Sequence, residues 1–209
     1  MALRPVLGLD LDGVCADYSA ALRAHVAASR GLDPDRYDLE LPEPHHWSLV
    51  TSGWFRSDTQ FRAAHAEAVA AGMFATMTPI AGVSEALWRL SDAGVHIRVI
   101  THRLMTGGGH RRAVSDTVTW LDAHRVPYSD LCFVGDKGQV GADIYIDDAP
   151  HNIAALRAVG CPTIVFNQPY NHGIAGPRAL NWVEAEAMIA EALLGEMASS
   201  RQHPHQRRA

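Results

Sequence analysis

The sequence predicts an α/β fold: a three-layer sandwich with a central parallel sheet, helices on both faces and a small α-helical cap inserted after the first strand. Three observations carry this. Short apolar runs of strand length recur along the chain, segments with helical apolar spacing separate them, and residues 16–79 offer no strong strand candidate. Runs that are apolar throughout suit strands buried on both faces, and strands alternating with helices form parallel sheets.

The first run, Val6–Leu9, stops abruptly at Asp10, Asp12 and Gly13. Helical patches over residues 19–29 and 59–71 then flank a polar stretch rich in proline and aromatics, residues 33–55. An interval this long exceeds an ordinary crossover, so residues 16–79 are read as a cap over the active site. Val83, Leu87 and Leu90 mark a helix before the second run, Val95–Ile100. Val114, Val118 and Leu121 mark the next, followed by the runs Leu131–Val134 and Ile144–Ile146. Ile153, Leu156 and Val159 mark another helix before the fifth run, Thr163–Phe166, and a last helix is expected over residues 182–194. The expected organisation is a core domain of residues 1–15 and 80–195, the cap, and a disordered tail over 196–209.

Composition sets the class. The chain has 209 residues, 47% hydrophobic and 20% charged, as an ordinary soluble domain does. A net charge of −5 offers no basic surface for nucleic acid. Cys15, Cys132 and Cys161 form no CxxC pair, which argues against a zinc ribbon or dithiol site and suits a reducing cytosol. No apolar run reaches the ~18 residues of a membrane span, and no signal-peptide core is seen. A cytoplasmic protein without nucleic-acid or membrane partners is expected; a homodimer is compatible with the sequence.

The chemistry lies where apolar runs stop. Asp10 and Asp12 are two apart on an extended chain, so both carboxylates face one side, and Gly13 permits a sharp turn. Asp147 and Asp148 follow the Ile144–Ile146 run. Either motif alone is an ordinary turn. Together at strand ends they crowd negative charge into one crevice, which calls for a hard cation, and magnesium fits best. A calcium loop is excluded because Val14 stands where an oxygen ligand is required. Thr101 ends the second run with a hydroxyl suited to phosphate, and Lys137, in Gly135-Asp136-Lys137-Gly138, brings a cation to the crevice.

Asp10-Leu11-Asp12-Gly13-Val14, Thr101, Lys137 and Asp147-Asp148 resemble, in order and spacing, the four motifs of haloacid dehalogenase-superfamily phosphatases. Residues 10–18 (DLDGVCADY), GMFATMTPIAGVSEAL and DKGQVGADIYIDDAP are similar to the 5′(3′)-deoxyribonucleotidases, the cytosolic type C 5′-nucleotidases. The resemblance implies a Rossmannoid fold and a magnesium-dependent phosphomonoester hydrolase acting on nucleoside monophosphates. Asp10 would be the nucleophile, forming an aspartyl-phosphate, and Asp12 the general acid and base. Magnesium would sit on the Asp10 carboxylate, the Asp12 carbonyl oxygen and Asp148, with Asp147 orienting them. Thr101 and Lys137 would hold phosphate oxygens. His102 stands where the animal enzymes often carry serine. A sugar-phosphate phosphatase and a non-catalytic binding protein are the competing readings; the presence of Asp12 argues against a dehalogenase.

For the organic part of the substrate, Tyr18 and Trp47 are the chosen contacts. Trp54, Phe55 and Phe61 are further candidates for a stacking face, with Phe61 assigned first to the cap's own core. His45 and His46 are expected in solvent, and His151 is expected to cap its helix or orient Asp148. Arg103 is expected either to attract a substrate anion or to form a salt bridge.

Overall fold

The computed structural model describes residues 4–33, 36–104 and 109–195; the expected disordered tail lies outside them. Six parallel strands form one sheet: β1 (Val6–Leu9), β2 (His96–Thr101), β3 (Asp130–Phe133), β4 (Ile144–Asp147), β5 (Thr163–Phe166) and β6 (Arg178–Ala179). Their order is β3-β2-β1-β4-β5-β6. The chain therefore runs outward from β1 through β2 to β3, then returns to lay β4 on the other side of β1. That reversal makes β1 and β4 the switch point, and the crevice beyond their carboxyl ends is where such sheets bind ligands.

All five expected strands are present. The sixth, β6, has only two residues and no apolar run to announce it. β3 corrects an expectation: it is an edge strand, half-buried throughout, because only β2 covers one side of it. Two helical stripes are also corrected. Val114, on α6 (His110–Ala123), and Val159, after α7 (Pro150–Ala158), face solvent. On α6 the buried side is carried by Ala113, Thr117, Trp120 and Leu121.

Between β1 and β2 lie α1 (Tyr18–Arg30), α2 (Tyr37–Glu40), α3 (Asp58–Ala70), α4 (Met73–Thr76) and α5 (Val83–Asp92). Asp17 caps α1 by accepting from the Ala20 amide, Ser57 caps α3 by accepting from that of Gln60, and Gly31 ends α1 in the left-handed conformation. Within the stretch 33–55, Leu41 and Trp54 are buried, and Trp54 Nε1 donates to the Pro42 carbonyl at 2.7 Å. These side chains join Leu22, Val26 and Val69 in the same apolar cluster as Leu7, Leu9 and Leu87. The last helix, α8 (Trp182–Ala190), continues as a π-helical turn, Glu191–Gly195.

Gly8 pairs with Tyr145 across β1 and β4, and a methyl group at Gly8 would meet the Tyr145 ring at 2.6 Å. Gly8→Ala gains ~0.4–1 kcal/mol from a stiffer unfolded chain but overpacks a closed site at a cost of ~1–3 kcal/mol. A net loss of about 1 kcal/mol is expected, measured as a lower denaturant midpoint at unchanged slope.

Candidate active site

Asp10 immediately follows β1, and its amide donates to the Ile146 carbonyl at 3.2 Å, continuing the pairing with β4. The chain then folds tightly back: the Cys15 and Ala16 amides both donate to the Leu11 carbonyl. Gly13 makes this turn at φ +82°, a left-handed conformation. A Cβ there would collide with the Asp148 carboxylate and stand 2.9 Å from the Tyr170 hydroxyl. Only glycine lets the two strand ends approach this closely.

Lys137, in a 3₁₀ turn (Lys137–Gln139), places Nζ 2.8 Å from Asp10 Oδ1 and 2.6 Å from Asp147 Oδ2. All three side chains are buried. The Asp10 Oδ1 atom also accepts from the Leu11 amide, which fixes the carboxylate's orientation. Asp147 is saturated: Oδ1 accepts from the Ala149 amide, and the Asn152 amide group donates to both oxygens. Asp148 differs. Its Oδ2 accepts from the Tyr170 hydroxyl, while its buried Oδ1 has no partner among the described residues.

Ligand oxygens of Asp10, Asp147 and Asp148 all lie within 4.8 Å of one another. Burial pushes the Asp10 carboxyl up to about 7 against the pull of Lys137, with Asp147 adding to the rise. Burial likewise raises Asp148 well above the carboxylate range, reinforced by the charges of Asp10 and Asp147. Burial would depress Lys137, but Asp10 and Asp147 outweigh it and hold its ammonium above the ordinary lysine value. Three carboxylates against one ammonium leave an excess that a divalent cation offsets. The orphaned Asp148 Oδ1 and the all-oxygen donor set fit magnesium. The saturated Asp147 suits an orienting role.

Asp12 is held apart from this cluster. Arg103 Nε lies 3.2 and 3.1 Å from its two oxygens, and Nη2 lies 2.7 Å from Oδ1. Of the two expectations for Arg103, the structure has the salt bridge. Its Nη1 donates to Thr117 Oγ1, and its guanidinium lies over the Phe74 ring at 4.4 Å. Thr101 is buried at the end of β2, and its hydroxyl accepts from the Arg103 amide at 3.4 Å.

A cavity of about 830 Å³ opens above these groups. Asp10, Asp12, Thr101, Lys137 and Asp148 line it, as do Tyr18, Trp47 and His102, so the structure gathers these eight sequence candidates around one space; Asp147 lies behind them, bonded to Lys137. Trp47 is 48% exposed and stacks edge-on against Tyr170 and tilted against His151, with centroids 5.4 and 5.1 Å away. Trp54 and Phe55 correct the proposed stacking face: both are buried within the apolar cluster. Phe61 is half-buried and lines the cavity while packing on that cluster. His45 and His46 are exposed, as expected.

His151 makes no cap hydrogen bond on α7, and Tyr170, not His151, bonds Asp148. Tyr170 belongs to a 3₁₀ turn after β5 (Pro169–Asn171) that has no apolar run or carboxylate motif to announce it. There Gln168 Nε2 donates to the Gly13 carbonyl, and Asn171 Nδ2 donates to that of Asp148. The available signal was the rule that functional residues sit at strand carboxyl ends, applied to Asn167–Asn171 as it was to Asp10 and Asp147. His65, also missed, hydrogen-bonds Tyr18.

The sheet order and the switch-point crevice give the chain the fold seen in the haloacid dehalogenase superfamily. A hydrolase of that superfamily from Geobacter sulfurreducens shares the fold, with a TM-score of 0.53 at 18% identity over 89% of this chain and 96% of that one. More narrowly, residues 4–194 match the family model of the 5′ nucleotidase, deoxy (pyrimidine), cytosolic type C proteins, and the chain belongs to that family. A Chlorobaculum tepidum protein provisionally named 5′(3′)-deoxyribonucleotidase is 44% identical over 187 residues, 88% of this chain and 89% of that protein. A Bordetella pertussis protein of the same provisional name is 29% identical, covering 83% and 89%.

Asp10 binds a proton up to about pH 7 in the folded metal-free protein but only below about 4 when unfolded. Between those values the folded state holds more protons, so metal-free stability falls as pH rises. Magnesium at a hundredfold excess over its dissociation constant would add about 2.7 kcal/mol. Thermal unfolding from pH 4.5 to 7.5, with and without magnesium, checks both trends; the magnesium shift is expected to be larger at the upper end.

Proposed function

We propose that this chain is a magnesium-dependent phosphomonoester hydrolase that dephosphorylates (deoxy)ribonucleoside monophosphates in the cytoplasm. The observation that carries this reading is Asp10, oriented by Lys137 and the Leu11 amide at the floor of a cavity whose walls bear aromatic side chains. Membership of the nucleotidase family supports the substrate class.

Asp10, Asp148 and the Asp12 carbonyl would hold magnesium, which supplies Lewis-acid neutralisation of phosphoryl charge. The Asp10 carboxylate attacks phosphorus, and the ester P–O bond breaks with its electron pair on the leaving oxygen. Lys137 and Thr101 face the non-bridging oxygens, where charge spreads in the transition state. Asp12 protonates the leaving oxygen, then accepts a proton from the water that attacks the aspartyl-phosphate, releasing phosphate and regenerating Asp10. Because Arg103 pairs with Asp12 at rest, Asp12 takes up its proton role when its carboxylate leaves that guanidinium.

Two sets of variants separate chemistry from recognition. Asp10→Asn is expected to abolish turnover while the protein stays folded, and near-normal kcat would overturn covalent catalysis. Asp148→Ala is expected to raise the apparent magnesium constant more than Asp147→Ala does, read from activity titrations; the reverse order would exchange ligand and orienter.

Trp47 tests the wall. Stacking on a base contributes ~1–3 kcal/mol, roughly ten- to hundredfold in kcat/KM. Trp47→Ala is expected to lower the ratio of kcat/KM for a nucleotide to that for p-nitrophenyl phosphate by about that factor, since Trp47 lines the cavity and is half-exposed. An unchanged ratio would remove Trp47 from the substrate contacts.

A further inference from the structure

The Asp12 carboxylate lies on the tight turn after β1, and among the described residues its hydrogen bonds all come from Arg103. One edge of the guanidinium, Nε and Nη2, covers both carboxylate oxygens. At the other end Nη1 donates to Thr117 Oγ1 on α6 at 2.9 Å, and Thr117 passes its own proton to the Ala113 carbonyl at 2.7 Å. The flat face lies 4.4 Å from the centre of the Phe74 ring on α4. The Arg103 side chain is wholly buried, whereas that of Asp12 is 26% exposed.

An aspartate side chain beside a cavity rotates about both of its side-chain bonds. A planar guanidinium edge fixes the two oxygens at once, which a point charge such as an ammonium does not. Here the guanidinium is itself held by α6 at one end and α4 on one face, so the place of Asp12 is set by those helices and not only by the turn that carries it. Water reaches Asp12, so the carboxylate is solvated with or without Arg103. What the pair adds is a fixed orientation.

We infer that Arg103 is a positioning residue for the proton transfer: it holds Asp12 at a place fixed by α4 and α6, from which the acid moves to the leaving oxygen and to which it returns. This rests on the phosphomonoester-hydrolase reading and deepens it. Position matters most where the leaving group needs the proton. An alkoxide or a simple phenolate leaves poorly without one, whereas p-nitrophenolate is stable as the anion. A misplaced Asp12 therefore slows esters of poor leaving groups more than esters of good ones.

The test compares kcat/KM for phenyl phosphate with that for p-nitrophenyl phosphate, two esters of similar shape that carry no base. Arg103→Met keeps an unbranched side chain against Phe74 and gives up the contacts to Asp12. Since positioned proton transfer contributes ~10²–10⁴-fold, this variant is expected to lower the phenyl-to-nitrophenyl ratio by about tenfold. Arg103→Lys keeps the charge with a single point of contact, and its ratio should fall between those of Arg103→Met and the wild type. In an Asp12→Asn background the acid is already gone, so Arg103→Met should leave the ratio where Asp12→Asn has put it. If Arg103→Met fails to fold, Thr117→Val, which removes the partner of Nη1 and keeps the ion pair, should move the ratio the same way by a smaller factor.

Equal losses on the two esters, a ratio that is unchanged or raised in the variant that folds, or a further fall in the Asp12→Asn background would overturn the positioning role and leave the hydrolase reading intact. A wild type that releases phosphate from neither ester nor from any nucleoside monophosphate would overturn the hydrolase reading itself, and the positioning role with it.

Discussion

The buried ammonium of Lys137, between the carboxylates of Asp10 and Asp147, is the constraint around which the molecule is arranged. Charges withdrawn from water are tolerated only when geometry and hydrogen bonding saturate them. Here the saturation is nearly complete on the Asp147 side, through Ala149 and Asn152, and incomplete on the Asp148 side, where one oxygen has no partner among the described residues. On the proposed function, that asymmetry separates a carboxylate that would orient from one that would bind. It also explains why β1 and β4 must be neighbours: only adjacent strand ends bring Asp10 within reach of the lysine that Asp147 holds.

Much of this was legible because parallel strands buried on both faces leave continuous apolar runs, and a carboxylate ending such a run is conspicuous. Asp10, Asp12, Asp147 and Asp148 were readable for that reason, and Lys137 because the preceding run delivers it. Legibility failed where the physical signal is not periodic. β6 is too short to show an alternation, and β3 is apolar in sequence although its edge position leaves it half-buried. Val114 and Val159 fit a three- and four-residue spacing yet lie on solvent-facing turns.

Tyr170, Asn171 and Gln168 are harder still. Gln168 meets Gly13 across 155 positions of sequence, and Tyr170 meets Asp148 across 22. Such contacts depend on closure of the sheet and have no local signature. Arg103 is an intermediate case: its position after Thr101 was noticed, but choosing between substrate anion and salt bridge required knowing that β1 and β2 are paired. Once they are, Asp12 and Arg103 stand just beyond the carboxyl ends of adjacent strands, and the bidentate geometry follows.

The segment between β1 and β2 is fixed to the sheet at both ends, which bears on how recognition is coupled to chemistry. Its entry and exit pair with each other: the Ile80 amide donates to the Cys15 carbonyl at 2.7 Å, and the Asp17 amide to that of Thr78 at 2.9 Å. Two buried indoles secure the same ends, Trp182 Nε1 donating to the Val14 carbonyl and Trp120 Nε1 to that of Met77. Tyr18 follows this junction by a single residue, so its position relative to Asp10 is set by buried hydrogen bonds. Trp47 lies far from either end and is placed by ring contacts with His151, on α7, and Tyr170, in the 3₁₀ turn after β5. The two aromatic side chains are therefore held by different means: Tyr18 beside the hydrogen-bonded junction, Trp47 by ring packing against Tyr170 and His151. Tyr170 connects Trp47 to Asp148, since the residue whose ring packs on Trp47 also donates its hydroxyl to that carboxylate. On the proposed function, a substrate pressing on Trp47 would bear on the residue that bonds Asp148, and recognition and metal binding would share one side chain.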